Sequence, residues 1–362
     1  MFEILKNFTL QLFADAGTLV NATGNFVNAY TGDTSAFDAA NSLSGELKTF
    51  YDTELLENAR VELFYAQFAK KQHLPANHGT TVEWRKWNTF AKAAQLQEGV
   101  IPTGQKFGMS SKTGSINQYG TYATVSDKLE LRAYDDVILG ATEEMGASAA
   151  ETQETLIRDA LLVNTNVLYC DNVTLADGSI AGTPTTPAGM EASATVMSIL
   201  TPDMVAKAVT KMKKDRVPTI NGKYYAVIHP SVAYDLRKSK EWIEAHKYAA
   251  TSEIFNGEIG ELHGCRFIEN VFAPILGDSY KNKAGGVTYA TYFFGKDAFG
   301  IIDPEGGALE MIVKDKSQVG GPLNQFSTIG YKFETNGATI LYPERVLRVM
   351  SCSSYSATDA VN

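Results

Sequence analysis

The run from Asp135 to Cys170, DDVILGATEEMGASAAETQETLIRDALLVNTNVLYC, constrains this chain more than any other. Apolar or small residues recur at Ile138, Ala141, Met145, Ala149, Leu156, Ala160, Val163 and Val167, and Thr152 fills the gap in the series. Steps of three and four average the helical repeat of about 3.6 residues. The spacing predicts one long helix over 135–170. Asp135 and Asp136 suit its start, where carboxylates meet free amides and the positive end of the helix dipole. No proline lies between Pro102 and Pro184. At about 1.5 Å per residue such a rod is roughly 50 Å long, far beyond an ordinary globular helix, and it predicts a broad, flat subunit built along a spine. Gly140 and Gly146 each weaken it by up to about 1 kcal/mol. The competing reading is a core helix broken near Gly146.

Length and composition bound what surrounds that rod. A chain of 362 residues fits about two domains, and 44% hydrophobic content allows a sizeable core. The formal net charge of -9 disfavours a protein that grips nucleic acid by its phosphates, because that affinity comes from counterions released by cations. It does not exclude a protein that surrounds nucleic acid. Cys170, Cys265 and Cys352 form no CxxC pair, which argues against a zinc site or disulfide framework and fits a reducing compartment. The N-terminal MFEILKNFTLQLFADAG is interrupted by Glu3, Lys6, Thr9 and Gln11 and does not read as a signal peptide. No apolar run is long enough to cross a bilayer as a helix. The expectation is a soluble protein used without export.

Residues 1–44 are rich in Asn, Thr, Gly, Ala and Ser with scattered aromatics, and they read as an arm that a neighbouring subunit holds. From Ser44, SGELKTFYDTELLENARVELFYAQFAKKQ reads as helical, ending before the Asn77-His78-Gly79 turn. Two strand-like runs follow. Thr80–Phe90 carries Val82 and Trp84 on one face, and Gly114–Leu131 alternates Tyr119, Thr121, Ala123 and Val125 against Tyr122, Thr124 and Ser126. The polar segment between them contains Glu98 and Lys106. The whole of 80–131 predicts a long two-stranded hairpin with a large tip. A two-stranded ribbon is marginal alone in water, so it needs a surface to lie on, either a partner chain or its own domain.

After the rod and a small-residue loop over 171–198, Thr201 is an N-cap and Pro202 a first helical residue. Met204, Val205, Ala208, Val209 and Met212 form the buried stripe. Tyr224–Ile228 reads as a buried strand, and further helices begin at Pro230 and Glu241. The last third reads as strands at 266–270, 287–295, 300–302, 309–314 and 340–350, with turns at 304–307 and 320–322.

Catalytic constellations are weak. The five histidines form neither HExxH nor HxH, and no GxGxxG, GxxxxGK[ST] or GxSxG run is present. His263 and Cys265 suggest a dyad without an orienting third group. His229 sits at a strand end, where α/β enzymes place catalytic groups; an enzyme centred on His229 and the 201–250 lobe is one alternative. Trp84-Arg85-Lys86-Trp87 looks like a stacking platform for single strands, a second alternative, but on a ribbon it more naturally packs on a neighbouring subunit.

Several stretches taken together resemble the major capsid proteins of tailed bacteriophages, in the phage N-four-type branch. They are GELKTFYD, TVEWRKWN, QLQEGVIPTGQ, QYGTYATVSDKLEL, INGKYYAVIHPSVAYDLRKSKEWIEAHKYA, EIFNGEIGELHGCRFIEN and GGPLNQFSTIGYKF. The resemblance implies an α+β subunit of the Hong Kong 97-like capsid fold. Its parts would be an N-terminal arm and helix (1–79), an extended β-hairpin loop (80–131), a peripheral domain with the spine helix (132–198), an α/β axial domain (199–285) and returning strands (286–362). It implies inter-subunit contacts through Trp84, Arg85, Lys86, Trp87, Glu98 and Lys106, and a spine carrying Ile138, Met145, Leu156 and Val163. It further implies a non-enzymatic shell protein of hexamers and pentamers in an icosahedral virion capsid. Such a shell encloses double-stranded DNA without reading its sequence, and works with portal, scaffolding or decoration proteins. It needs no cofactor, metal or membrane and is assembled in the bacterial cytoplasm. No lysine–asparagine crosslink site can be placed in the sequence.

Overall fold

The computed structural model describes residues 64–132, 137–247, 258–319 and 323–362, apart from 89, 94, 96, 97, 100, 102 and 103. The expected arm, nearly all of the helix expected from Ser44, the Asp135–Asp136 cap and the 320–322 turn lie outside these residues. The described residues divide into two compact units, one drawn from within 121–145 and 311–330, the other from within 64–120, 146–310 and 331–362.

Along the chain, a short 3-10 turn at Tyr65–Phe68 leads to β1 (Lys70–Leu74), β2 (Thr81–Trp87), β3 (Met109–Ser115) and β4 (Asn117–Ser126). Helices α1 (Asp127–Arg132) and α2 (Val137–Leu161) follow, then β5 (Val167–Tyr169), β6 (Asn172–Thr174), β7 (Ile180–Gly182) and β8 (Val196–Met197). Next come α3 (Pro202–Lys214), β9 (Tyr224–Ile228), α4 (Pro230–Lys238), α5 (Lys240–Lys247), β10 (Glu258–Leu262), β11 (Cys265–Glu269) and β12 (Ile275–Leu276). The chain closes with β13 (Thr288–Phe294), β14 (Phe299–Pro304), β15 (Glu310–Lys314), α6 (Lys316–Val319), β16 (Phe326–Thr335), β17 (Thr339–Ile340) and β18 (Val346–Ser351).

The larger unit is organised by a mixed sheet in the order β10-β11-β9-β13-β18-β5, with β12 added on β13. Its central strands are buried along their whole length because both faces are covered. Alternation sorts the two cores. Tyr224, Ala226, Ile228, Phe267, Phe293 and Val349 face the apolar stripes of α3 and α4. Tyr225, Val227, Ile268, Tyr292 and Phe294 face Tyr65, Phe68 and the Ile157 and Leu161 side chains of α2. The α3 stripe is the one expected from spacing, and Thr201 caps it by accepting from Met204 N at 3.4 Å. In the smaller unit, Asp127 N donates to Gln325 O at 2.9 Å and Lys316 pairs with Glu130 at 3.0 Å.

Four expectations need correction. The rod is shorter than 135–170: α2 ends at Leu161 and is 25 residues long, or about 37 Å at 1.5 Å per residue. Asn164-Thr165-Asn166 stops it, because short polar side chains compete for backbone partners. Asn164 Nδ2 donates to Val346 O at 2.5 Å and Asn164 Oδ1 accepts from Asn166 N at 3.3 Å, and the chain then pairs β5 alongside β18. The helix expected over 44–72 is overturned at its end, since Lys70–Leu74 pairs in parallel with Gly300–Pro304 and this tertiary pairing overrides helical propensity. The ribbon ends at Ser115. Its base is closed by Ile116 N donating to Thr80 O at 2.9 Å, and β4 joins β16 and β15 in another sheet. β16 was not expected. Its inward positions alternate as Ser327, Ile329, Tyr331, Phe333 and Thr335, and the polar members blur the period-2 signal. The single strand expected at 340–350 is split into β17 and β18 at Pro343, which cannot donate to a ladder.

Candidate assembly surface

The hairpin pairs Thr81 with Ser115 through Trp87 with Met109, seven residues a side without a register shift. A period of two sends Val82, Trp84 and Lys86 to one face and Glu83, Arg85 and Trp87 to the other. The four-residue run Trp84 to Trp87 is therefore no single platform, which removes the geometric ground for stacking single strands on it.

Trp84 faces the body of its own unit. A Cβ added at Gly300 would lie 2.8 Å from Trp84 Cζ2, and one at Gly114 would lie 2.9 Å from Cζ3 and 2.5 Å from Thr339 Oγ1. Glycine at both positions leaves room for the indole between β3 and the β1-β14-β17 sheet. The indole N–H is closed from solvent and has no acceptor among the described residues. Lys86 Nζ stands 4.5 Å from the Tyr342 ring centroid and 3.6 Å from Glu344 Oε1, and the Arg345 guanidinium lies on the same ring at 3.6 Å. Arg85 pairs with Glu83 at 3.3 Å. The hairpin is thus anchored at its base by one aromatic and one cation.

The far end differs. Trp87 and Phe107 stack at 4.2 Å with ring planes 19° apart, and Phe90 continues the stack at 5.3 Å from Phe107. These rings remain 61%, 55% and 58% exposed, and Ile101 beyond them 93%. Gln105 fastens the loop by accepting from Ala91 N at 2.8 Å and donating to Ala91 O at 3.2 Å. Glu98 and Lys106 are exposed on that loop. An aromatic stack ordered yet left in water is the kind of apolar patch that marks a protein contact.

Of the spine residues, Ile138, Met145 and Leu156 are half-buried, while Val163 lies beyond α2 and is 78% exposed. The buried face of the distal half of α2 is instead Ala149, Glu154, Ile157, Arg158 and Leu161. Counting apolar residues missed it because two members are charged. Glu154 Oε1 accepts from Phe64 N at 3.1 Å, Tyr65 N at 3.3 Å and Asn270 Nδ2 at 2.8 Å. Burial pushes its carboxyl above the ordinary range against those three hydrogen bonds.

The enzyme alternatives do not assemble a site. His229 is the N-cap of α4: its Nδ1 accepts from Ser231 N at 3.2 Å, and burial holds the imidazole below its ordinary value while Asp359 opposes the shift. His263 occupies the tight β10–β11 turn at φ 53°, and Cys265 is buried with its thiol pushed well up by desolvation, the opposite of an activated nucleophile. Among the described residues no group of three or more His, Cys, Asp or Glu side chains is placed to hold a metal ion. Sequence reasoning also missed the C-terminal strap. Asp359 accepts from Ser231 Oγ at 2.9 Å and Tyr289 Oη at 2.7 Å, and Asn362 Oδ1 accepts from Ile275 N at 2.9 Å.

Residues 110–336 match the model of a family described as phage capsid protein. No curated protein matches by sequence. Among solved structures, the capsid of cyanophage Pam1 aligns with a TM-score of 0.64 at 12% identity, over 87% of this chain and 99% of that one. The capsid of cyanophage P-SCSP1u aligns at 0.60 and 16%, over 85% and 94%. The capsid of Ralstonia phage GP4 aligns at 0.58 and 13%, over 85% and 96%. At such identities the likeness concerns the fold: an α+β subunit of the Hong Kong 97-like kind.

Proposed function

Since the chain belongs to the phage capsid protein family, we propose that it is the major capsid protein of a tailed phage, tiling an icosahedral head of hexamers and pentamers around double-stranded DNA. It is a structural shell protein of the virion, not an enzyme. The observation that carries the tiling reading is the hairpin, whose base is anchored by Trp84 and Lys86 while Trp87, Phe90 and Phe107 form an ordered stack in water. In a shell that stack lies on the next copy and loses its exposure. Each such contact is modest, and many made at once hold the wall.

In this reading 80–131 is the extended loop, with the 81–115 hairpin as its projecting part. Residues 132–198 carry the spine, with Ile138, Met145 and Leu156 along it. The α3–β9–α4 lobe within 199–285 is the axial domain, whose copies meet around the symmetry axes, and 286–362 supplies returning strands. Trp87, Glu98 and Lys106 touch the neighbour at the tip, and Arg85 reaches it from the outer face of β2. Portal, scaffolding or decoration proteins join the shell, which assembles in the host cytoplasm.

Electron microscopy of the purified full chain tests this. Closed shells, or rings of five and six, are expected. A stable monomer at every concentration and salt tried would overturn the reading.

A further inference from the structure

Charge is unevenly spread along this chain. Residues 70–115 hold seven lysines and arginines against two glutamates, a formal +5, which leaves -14 on the rest of a chain whose total is -9. The fold gathers part of this charge at one place. Between the hairpin base and the 341–343 segment lies a cleft of about 360 Å³, with Trp84, Leu341 and Tyr342 among its lining residues and four cations, Lys70, Arg85, Lys86 and Lys112, on its walls beside one carboxylate, Glu83. Lys86 is balanced by Glu344 and Arg85 by Glu83. Among the described residues neither Lys70 nor Lys112 has a carboxylate within ion-pair distance. Lys112 lies directly across the ribbon from Trp84, and Lys70 is paired with Gly300, the glycine under the indole. Two uncompensated ammonium groups thus flank one aromatic floor.

We propose that this cleft is an acceptor for carboxylate side chains of a second copy of the chain. The inference rests on the shell reading and names what the base of the hairpin recognises. Complementarity argues for the second copy, because every subunit carries, outside its own cationic 70–115 segment, a formal excess of fourteen carboxylates that a neighbour's cleft can accept. A phosphate-tracking site argues otherwise: affinity for duplex DNA needs a stripe of several free cations, whereas here two of the four are already paired and the remaining two sit over a narrow, partly apolar floor. Attraction between exposed charges decays over about 8–10 Å at ordinary ionic strength, so the contact should be strong only when the carboxylate enters the cleft.

The test uses shells grown from equal amounts of unlabelled and 15N-labelled full chain, treated with a carbodiimide, which joins an amine to a carboxylate with loss of water only when they touch. Lys70 or Lys112 is expected in crosslinked peptides of mixed label, which arise only between copies. The Lys70→Glu/Lys112→Glu variant should keep the wild-type circular dichroism and melting temperature. It should need at least about tenfold more protein for half-assembly, because like charges are placed opposite one another. Shells that form without mixed-label crosslinks at these lysines overturn the proposal. So does a double variant that assembles at the wild-type threshold, and if that variant instead loses retention of duplex DNA the cleft belongs to nucleic acid. Failure of the wild-type chain to form shells at all removes the shell reading and this inference with it.

Discussion

Glu154 offers a quantitative test of how the spine is tied to the rest of its unit. Its side chain has 0% exposure, one oxygen accepts all three hydrogen bonds, and Oε2 has no partner among the described residues. Glu154→Ala strands two backbone amides and the Asn270 amide. An unmet buried donor costs about 1–3 kcal/mol, so the loss should be roughly 3–6 kcal/mol after some relief by entering water. Glu154→Gln keeps the accepting oxygen and exchanges an unpartnered oxygen for an unpartnered NH₂, while removing a buried charge. The sign follows from linkage. Burial raises the folded pKa above the unfolded value of about 4.3, so stability falls as pH rises through the window between the two and stays reduced above it. The glutamine variant should match or exceed the parent at pH 7, and any advantage should vanish below about pH 4, where both side chains are neutral. Urea unfolding of the unassembled subunit at the two pH values measures this. A glutamine variant less stable by more than about 1.5 kcal/mol at pH 7 would mean that the charge itself stabilises, through Arg158, and would refute the reasoning.

Other outcomes follow from the same geometry. Replacing residues 90–107 with a short Gly-Ser turn removes the aromatic stack but leaves β2 and β3. It should give a folded subunit with an unchanged melting temperature and no closed shells by electron microscopy. Gly300→Val drives a branched side chain into Trp84. It should cost about 1–3 kcal/mol in chemical denaturation and shift tryptophan emission to the red as the indole lifts toward water. At Asp359 the Ser356, Tyr289 and Ser231 hydroxyls hold the carboxyl below its usual range, so its stabilisation is present above the unfolded value of about 3.9 and lost as pH falls through the folded one. Asp359→Asn should therefore cost about 0.5–1 kcal/mol at pH 7, the strap being partly exposed, and nothing near pH 2, as pH-dependent denaturation will read.

What the sequence made legible was local. The α3 stripe could be read because its cap, proline, apolar spacing and basic end all agree within thirteen residues. The β2 alternation could be read for the same reason, and several dispersed motifs pointed to the family that the comparison establishes. The end of α2 could not be read from apolar spacing, because Val163 and Val167 continue the helical series while Asn164 spends its side chain on carbonyls 179 and 182 residues away. Glu154 and Arg158 were invisible for a related reason: a buried charge is tolerated only through partners, and those at Phe64, Tyr65 and Asn270 are distant in sequence. The C-terminal strap reads as a polar tail until Ser231 and Tyr289 are brought beneath it.

Charge segregation also bears on which assemblies the chain can make. If the cationic 70–115 segment met the same segment of another copy, two patches of +5 would face each other, and like charges in contact cost several kcal/mol. A self-complementary two-fold contact through the hairpin is therefore disfavoured. Contact of the cationic segment with carboxylates elsewhere on the next copy is favoured, and that contact is heterologous, with different surfaces on the two partners. Heterologous contacts repeat around an axis and close into rings when the rotation permits. Closure then depends on the angle at which the ribbon leaves the subunit, which is set where Gly114 and Gly300 let Trp84 pack closely. A bulkier residue at either position changes that angle before it changes the charge. On this argument Gly300→Val should yield open or irregular sheets at salt concentrations where Lys70→Glu/Lys112→Glu yields free subunits, and identical products from the two variants would break the link between ribbon angle and ring closure.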